Sequence, residues 1–163
     1  MKRLTALFLT GILLFSVTAC SSQQNEQSAS FYYCRKDYRY HQEDSVIAPE
    51  PRNISEQSNT IHHLMALYFI GPQSDELELP FPPEVKLLLA EKKAQNVYIT
   101  LSGGKHILDT YQYSLGCACL AMTAFGLTGC STVFIQCGEN VTALTPDDLL
   151  LYDNTYTVPT TED

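Results

Sequence analysis

Apolar and polar residues alternate along the chain with a period that changes from block to block, and those changes predict the elements. Phe31-Tyr32-Tyr33-Cys34 opens an aromatic-rich stretch reaching Tyr40 that reads as a strand. Ser45 to Ile54 reads as a second extended segment, and Pro49 and Pro51 within it predict a sheet edge, because proline offers no N–H to a ladder. Ile61, Leu64, Met65, Tyr68 and Phe69 then recur at helical spacing, with Ser58 or Thr60 as the cap and Gly71-Pro72 as the stop. The segment LELPFPP from Leu77 to Pro83 predicts an ordered loop, since its three prolines remove donors and fix extended backbone.

Two β-branched, apolar runs follow, Val85–Ala90 and Asn96–Leu101, joined through the polar stretch from Glu91 to Gln95 as in a hairpin. From Ile107 to Phe125 the chain is small and apolar almost all round, as in a helix buried against a sheet, and Gly126 and Gly129 are expected to break it. Ser131–Cys137 and Val141–Leu144 read as a last pair of strands around a turn at Gly138-Glu139-Asn140. The order β-β-α-β-β-α-β-β predicts the α+β class: one domain, with two helices covering a mostly antiparallel sheet.

The first twenty residues change the picture of where such a domain works. Met1-Lys2-Arg3, an apolar run from Leu4 to Val17 and Thr18-Ala19-Cys20 have the three-part layout of a secretory signal. The run is short for a membrane span and no basic stop-transfer cluster follows it. Val17-Thr18-Ala19-Cys20 resembles the bacterial lipobox, which implies cleavage before Cys20 and a diacylglycerol on its sulfur. Several acyl chains hold a membrane durably, at about 0.8 kcal/mol per buried CH₂. The expected organisation is a signal peptide over 1–19, a lipidated flexible tether over 20–30, a domain over 31–150 and a disordered acidic tail over 151–163. The expected location is the extracytoplasmic face of the cell membrane.

The sequence carries 10 basic and 18 acidic residues, and removal of Lys2 and Arg3 with the leader leaves 8 against 18, a net charge of −10. With no basic run beyond Arg35-Lys36 and Lys92-Lys93, nucleic acid is not an expected partner. Five cysteines remain after Cys20, namely Cys34, Cys117, Cys119, Cys130 and Cys137, an odd set that leaves at least one thiol over. A disulfide between Cys34 and Cys137 across neighbouring strands is one pairing the sequence leaves open.

The residue chemistry offers few catalytic arrangements. Cys117-x-Cys119 with Cys130 and Cys137 is the sharpest metal candidate, but residues two apart on a helix point about 200° from each other, so buried free thiols are expected and no metal or other cofactor. His62-His63 reads as a solvated helix start, and His41 and His106 lie beside no nucleophile motif. Ser102-Gly103-Gly104-Lys105 lacks the full phosphate-loop pattern and reads as a turn. Asp147-Asp148 after Pro146 reads as a helical or turn start and not as a calcium loop. No enzyme activity is expected.

With the elements placed, residues 31–150 resemble the GerMN domain, a sporulation and germination module of bacterial lipoproteins and cell-surface proteins. The resemblance rests on the aromatic first strand, Tyr68-Phe69-Ile70-Gly71-Pro72 after the first helix, and the leucine- and proline-rich loop into Val85-Lys86-Leu87-Leu88. It continues through Val97–Ser102, the long small-residue helix and Val133–Gly138, while Thr100 and Cys137 stand where the family would place acidic or polar residues. What the resemblance implies is assembly through sheet and helix faces in the envelope, without catalysis. The expected function is therefore a membrane-anchored interaction module, with envelope proteins or further copies of itself as partners; the alternative is a cysteine-based metal or ligand sensor.

Overall fold

Proline placement and strand alternation decide how the first sheet is laid out. In the computed structural model, which describes residues 27–36, 45–54, 60–103 and 110–152, β1 (Gln27–Arg35) and β2 (Ile47–Ile54) pair antiparallel from Gln27 opposite Ile54 to Cys34 opposite Ile47. Pro49 and Pro51 face Tyr32 and Ser30 across the ladder, and β2 is the outer strand in the order β2-β1-β3, as the prolines predict. β1 begins at Gln27, four residues ahead of the expected start at Phe31, within the stretch expected as tether.

Thr60 is the N-cap of α1 (Ile61–Phe69), its hydroxyl accepting from the His63 N–H, while the alternative cap Ser58 lies outside the described residues. Leu64, Met65 and Tyr68 turn one face of the helix into the core. Gly71, at a φ of +101° that side-chain-bearing residues rarely adopt, ends it. In the expected loop, Leu77–Glu78 forms a two-residue strand, β3, on the far end of β1, opposite Arg35 and Cys34. The rest of the loop is ordered by Phe81, whose ring is buried against Phe69 at 5.6 Å between centroids.

The second sheet has the order β4-β5-β6-β7, from β4 (Leu87–Lys93), β5 (Asn96–Leu101), β6 (Thr132–Cys137) and β7 (Asn140–Leu144). The hairpin turn is shorter than expected: Glu91–Lys93 belong to β4, and Ala94-Gln95 alone reverse the chain. Ala94 does so at a φ of +53°, where Gly138 stands in the corresponding β6–β7 turn at +62°. Alternate residues of β5 and β6 point inward, so Val97, Ile99 and Leu101 pack beside their register partners Val133, Ile135 and Cys137. β5 and β6 run parallel, which requires the long crossover through α2 (Thr110–Thr128).

α2 is buried almost all round, from Tyr113 and Leu115 through Ala118, Leu120 and Ala121 to Ala124, because it lies between β1 of the first sheet and β6 of the second. Gly126 lies within the helix, contrary to expectation, and Gly129, at a φ of +59°, terminates it. A 3-10 helix over Pro146–Tyr152 follows β7. The class is α+β, a single domain with two helices and one continuous core; its mostly antiparallel strands are divided between two sheets, where a single sheet was expected.

Candidate functional site

One side of β1 is only partly used, and that incompleteness defines the site. Consecutive residues of a strand direct their backbone N–H and C=O to opposite neighbours. Arg35 donates toward the β2 side, to Val46 O at 3.0 Å, whereas Cys34 faces Glu78 of β3. Tyr32, two residues earlier and beyond the end of β3, gives its N–H to the hydroxyl of Thr123 on α2 at 2.9 Å. The helix thus substitutes for a missing strand. Thr123, fully buried, is satisfied on both sides, since its hydroxyl also donates to Cys119 O one turn back at 2.8 Å.

Cys119, Thr123 and Leu127 lie four residues apart, so they form one ridge of α2. The first two follow β1 backwards, with Cys119 against Cys34 and Thr123 against Tyr32. Leu127 comes next and has no acceptor to offer. By the same two-residue alternation, the N–H and C=O groups of Ser30 and Ser28 point into a cleft of about 580 Å³ between the two sheets. Ile54, Ile61, Leu64 and Leu127 supply its apolar walls, and Ser28, Ser30, Lys92 and Thr128 its polar ones. Lys92 closes one end, its ammonium donating to the last-turn carbonyl of Thr128 at 2.7 Å, a favourable place for a cation.

A buried ion pair ties β2 to the C-terminal end of α1. Glu50 and Arg52 stand two apart on β2 and therefore share its inner face, with side chains 8% and 9% exposed and a 2.6 Å bond between Oε1 and Nε. Glu50 Oε2 accepts the N–H groups of Gln73 and Ser74 at 2.8 and 2.9 Å. Arg52 donates to Leu67 O and Gly71 O at the end of α1 and lies over the rings of Phe31 and Tyr33 at 5.0 and 5.4 Å. A helix with no basic residue in its last turn thus receives its cation from a neighbouring strand. Burial alone would raise the Glu50 pKa; the Ser74 N–H, the guanidinium and the Gln73 N–H outweigh it and hold the carboxyl below its ordinary range.

The sequence candidates take structural places. Cys20, His41, His106, Gly104 and Lys105 lie outside the described residues. Cys119 faces the first sheet, with its sulfur 3.7 Å from that of Cys34, whereas Cys117 faces the second, beside Tyr113 and Thr142. Burial pushes the Cys117 thiol up to about 11 and the Tyr113 hydroxyl up to about 12. Cys137 lies 3.3 Å from Gly103 O. A Cys34–Cys137 disulfide does not fit, because β1 and β6 belong to different sheets and the sulfur beside Cys34 is that of Cys119. Among the described residues no three His, Cys, Asp or Glu side chains are placed to hold a metal ion.

His62 departs from a purely solvated helix start, as its Nδ1 accepts the Ala90 N–H at 3.2 Å and ties α1 to the edge of β4. Ser102 makes a turn contact: its hydroxyl accepts from Lys86 N at 2.8 Å and donates to Glu84 O. Asp148 caps the 3-10 helix by accepting from both the hydroxyl and the N–H of Thr145 at 2.7 Å, bonds that hold its carboxyl below the ordinary range. Sequence reasoning did not find Glu50 and Arg52. Their signal was an acid and a base two residues apart on a proline-marked edge strand. The open edge at Ser28 and Ser30 had no local signal, since it depends on where α2 and β3 end.

No protein-family model matches this chain, and no curated protein sequence matches it. Among solved structures it is similar to a crystal structure of a protein from Clostridium perfringens described provisionally as a lipoprotein, at 15% identity over 76% of this chain and 89% of that one. The TM-score is 0.41, a superposition too loose to carry an argument about fold or function. No helix among the described residues is long and apolar enough to cross a membrane.

Proposed function

We propose that this chain is an extracytoplasmic lipoprotein held to the membrane through Cys20, a docking module without catalysis that receives an extended segment of another envelope protein along the open side of β1. The observation that carries the docking is that, among the described residues, Ser28 and Ser30 have no strand neighbour on the side of β1 away from β2, where they line a cleft with both apolar and polar walls. An incoming strand would complete the ladder that β3 and Thr123 leave unfinished, with side chains seated on Leu64 and Leu127. The anchoring rests on Val17-Thr18-Ala19-Cys20. Seven Cα–Cα steps from Cys20 to Gln27 reach at most about 25 Å, which keeps this end of the domain, and the cleft with it, close to the bilayer. What supports a part in envelope assembly during sporulation or germination is the likeness of residues 31–150 to a GerMN domain.

A photo-reactive amino acid at Leu127 tests the docking in intact cells. Irradiation should give a discrete adduct with another envelope protein from position 127 and none from Val141, an exposed position on β7. No adduct from 127, the same adduct from both positions, or an adduct only with a second copy of the chain would contradict the reading.

A further inference from the structure

Two thiols that the proposed function does not use meet across the core. Cys34 on β1 and Cys119 on α2, 85 residues apart in sequence, have sulfurs 3.7 Å apart and are 1% and 0% exposed. The other three cysteines of the domain are placed differently: Cys117 lies with Tyr113 and Thr142, Cys137 at the carbonyls of Ser102 and Gly103, and Cys130 just past the end of α2. Among the described cysteines, Cys34 and Cys119 are the pair whose sulfurs are in contact; Cys137 is near enough to Cys117 to raise its thiol, but its own sulfur meets the carbonyls of Ser102 and Gly103. The backbones on either side are already fixed relative to each other, because the next turn of the same helix ridge is bonded to the same strand through Thr123 and Tyr32.

We infer that Cys34 and Cys119 are a disulfide-forming pair, a covalent link between β1 and α2 that closes when the chain folds in the presence of a thiol oxidant. Bond formation needs the sulfurs to approach by about 1.6 Å, to the 2.05 Å of a disulfide. The oxidant is a disulfide, either a small molecule or that of an oxidoreductase. One thiolate attacks it to give a mixed disulfide, and the second thiolate displaces the leaving thiol. Two S–H protons and two electrons leave the pair, the S–S bond between Cys34 and Cys119 forms, and the oxidant is released as two thiols. Both sulfurs are buried out of reach of an oxidant in the folded protein, so the link is made during folding.

The link would tie the strand carrying the open edge to the helix bordering it, one turn beyond the Tyr32–Thr123 bond. The inference rests on the core geometry alone and does not depend on Cys20 being acylated.

The test starts from the full-length protein purified from detergent-solubilised whole cells, reduced in urea and refolded in a mixture of reduced and oxidised glutathione. Remaining thiols are then blocked with N-ethylmaleimide in denaturant, and the digest is sequenced by fragment ions. The expected result is a Cys34–Cys119 linkage, with two fewer alkylated cysteines than in the chain kept reduced. The linkage should persist in Cys117→Ser and vanish in Cys119→Ser. Alkylated Cys34 and Cys119 in the refolded chain, or Cys34 linked to any other cysteine, would overturn the inference. Because the readout follows the linkage at Cys34, a free sulfur at Cys20 would contradict the anchoring without affecting this result.

Discussion

Glu50→Ala is expected to lower the stability of the folded chain by about 3 kcal/mol, near the lower end of the range for removing one partner of a buried ion pair. The effect comes from what stays behind. Arg52 would keep the carbonyls of Leu67 and Gly71 and the faces of Phe31 and Tyr33, but its charge would have no counterion, and the N–H groups of Gln73 and Ser74 would lose their acceptor. The remaining contacts set the loss at the lower end. The same carboxyl gives a pH signature. Its pKa is lowered on folding from an unfolded value of 4.5, so in that window the unfolded chain binds more protons and stability rises with pH. The contribution is complete above the unfolded value and is lost as the pH falls through the lower folded value. Urea unfolding of the wild type and Glu50→Ala should therefore show a gap that is widest at neutral pH and narrows as the pH falls below 4.5; a gap independent of pH would contradict the assigned role.

The second large effect concerns two glycines in one helix that should respond in opposite directions. A Cβ built on Gly116 would stand 2.6 Å from the ring of Phe81, which is 4% exposed and held between Phe69 and α2. The buried ring must shift against Phe69 to admit the methyl group, so Gly116→Ala should destabilise by about 1–3 kcal/mol, the usual cost of overpacking. Gly126, an exposed helical position with nothing within 4 Å of the added atom, should gain about 0.5–1 kcal/mol as alanine from reduced chain entropy. Thermal unfolding of the two variants side by side checks this, and a stabilised Gly116→Ala would mean that the proline loop does not hold Phe81 against α2.

The sequence made legible whatever depends on neighbours along the chain. Thr60, the Leu64–Met65–Tyr68 face and Gly71 lie within one short segment, so their periodicity and cap chemistry were sufficient to define α1. Pro49 and Pro51 marked β2 as an edge because a missing donor is a local property. The evenly apolar character of α2 announced burial, though not between which layers. What escaped notice depends on distant meetings. Tyr32 and Thr123 are 91 residues apart, and their bond joins β1 to α2 beside the cleft. The Cys34–Cys119 contact spans 85 residues, and spacing alone could not choose it over Cys34–Cys137. Gly126 and Gly129 looked alike as helix breakers. Only the second is at the point where the chain must turn toward β6 with positive φ.

Lipid on Cys20 is the claim on which the location of the docking cleft depends, and its most direct test is the intact mass and cell fractionation of the wild type beside Cys20→Ala. The predicted result is a membrane-bound wild type that begins at Cys20 and carries the mass of attached acyl chains, with Cys20→Ala lacking that mass and no longer anchored by lipid. A wild type that lacks acyl mass, or that keeps residues 1–19 in its mature form, would contradict the account.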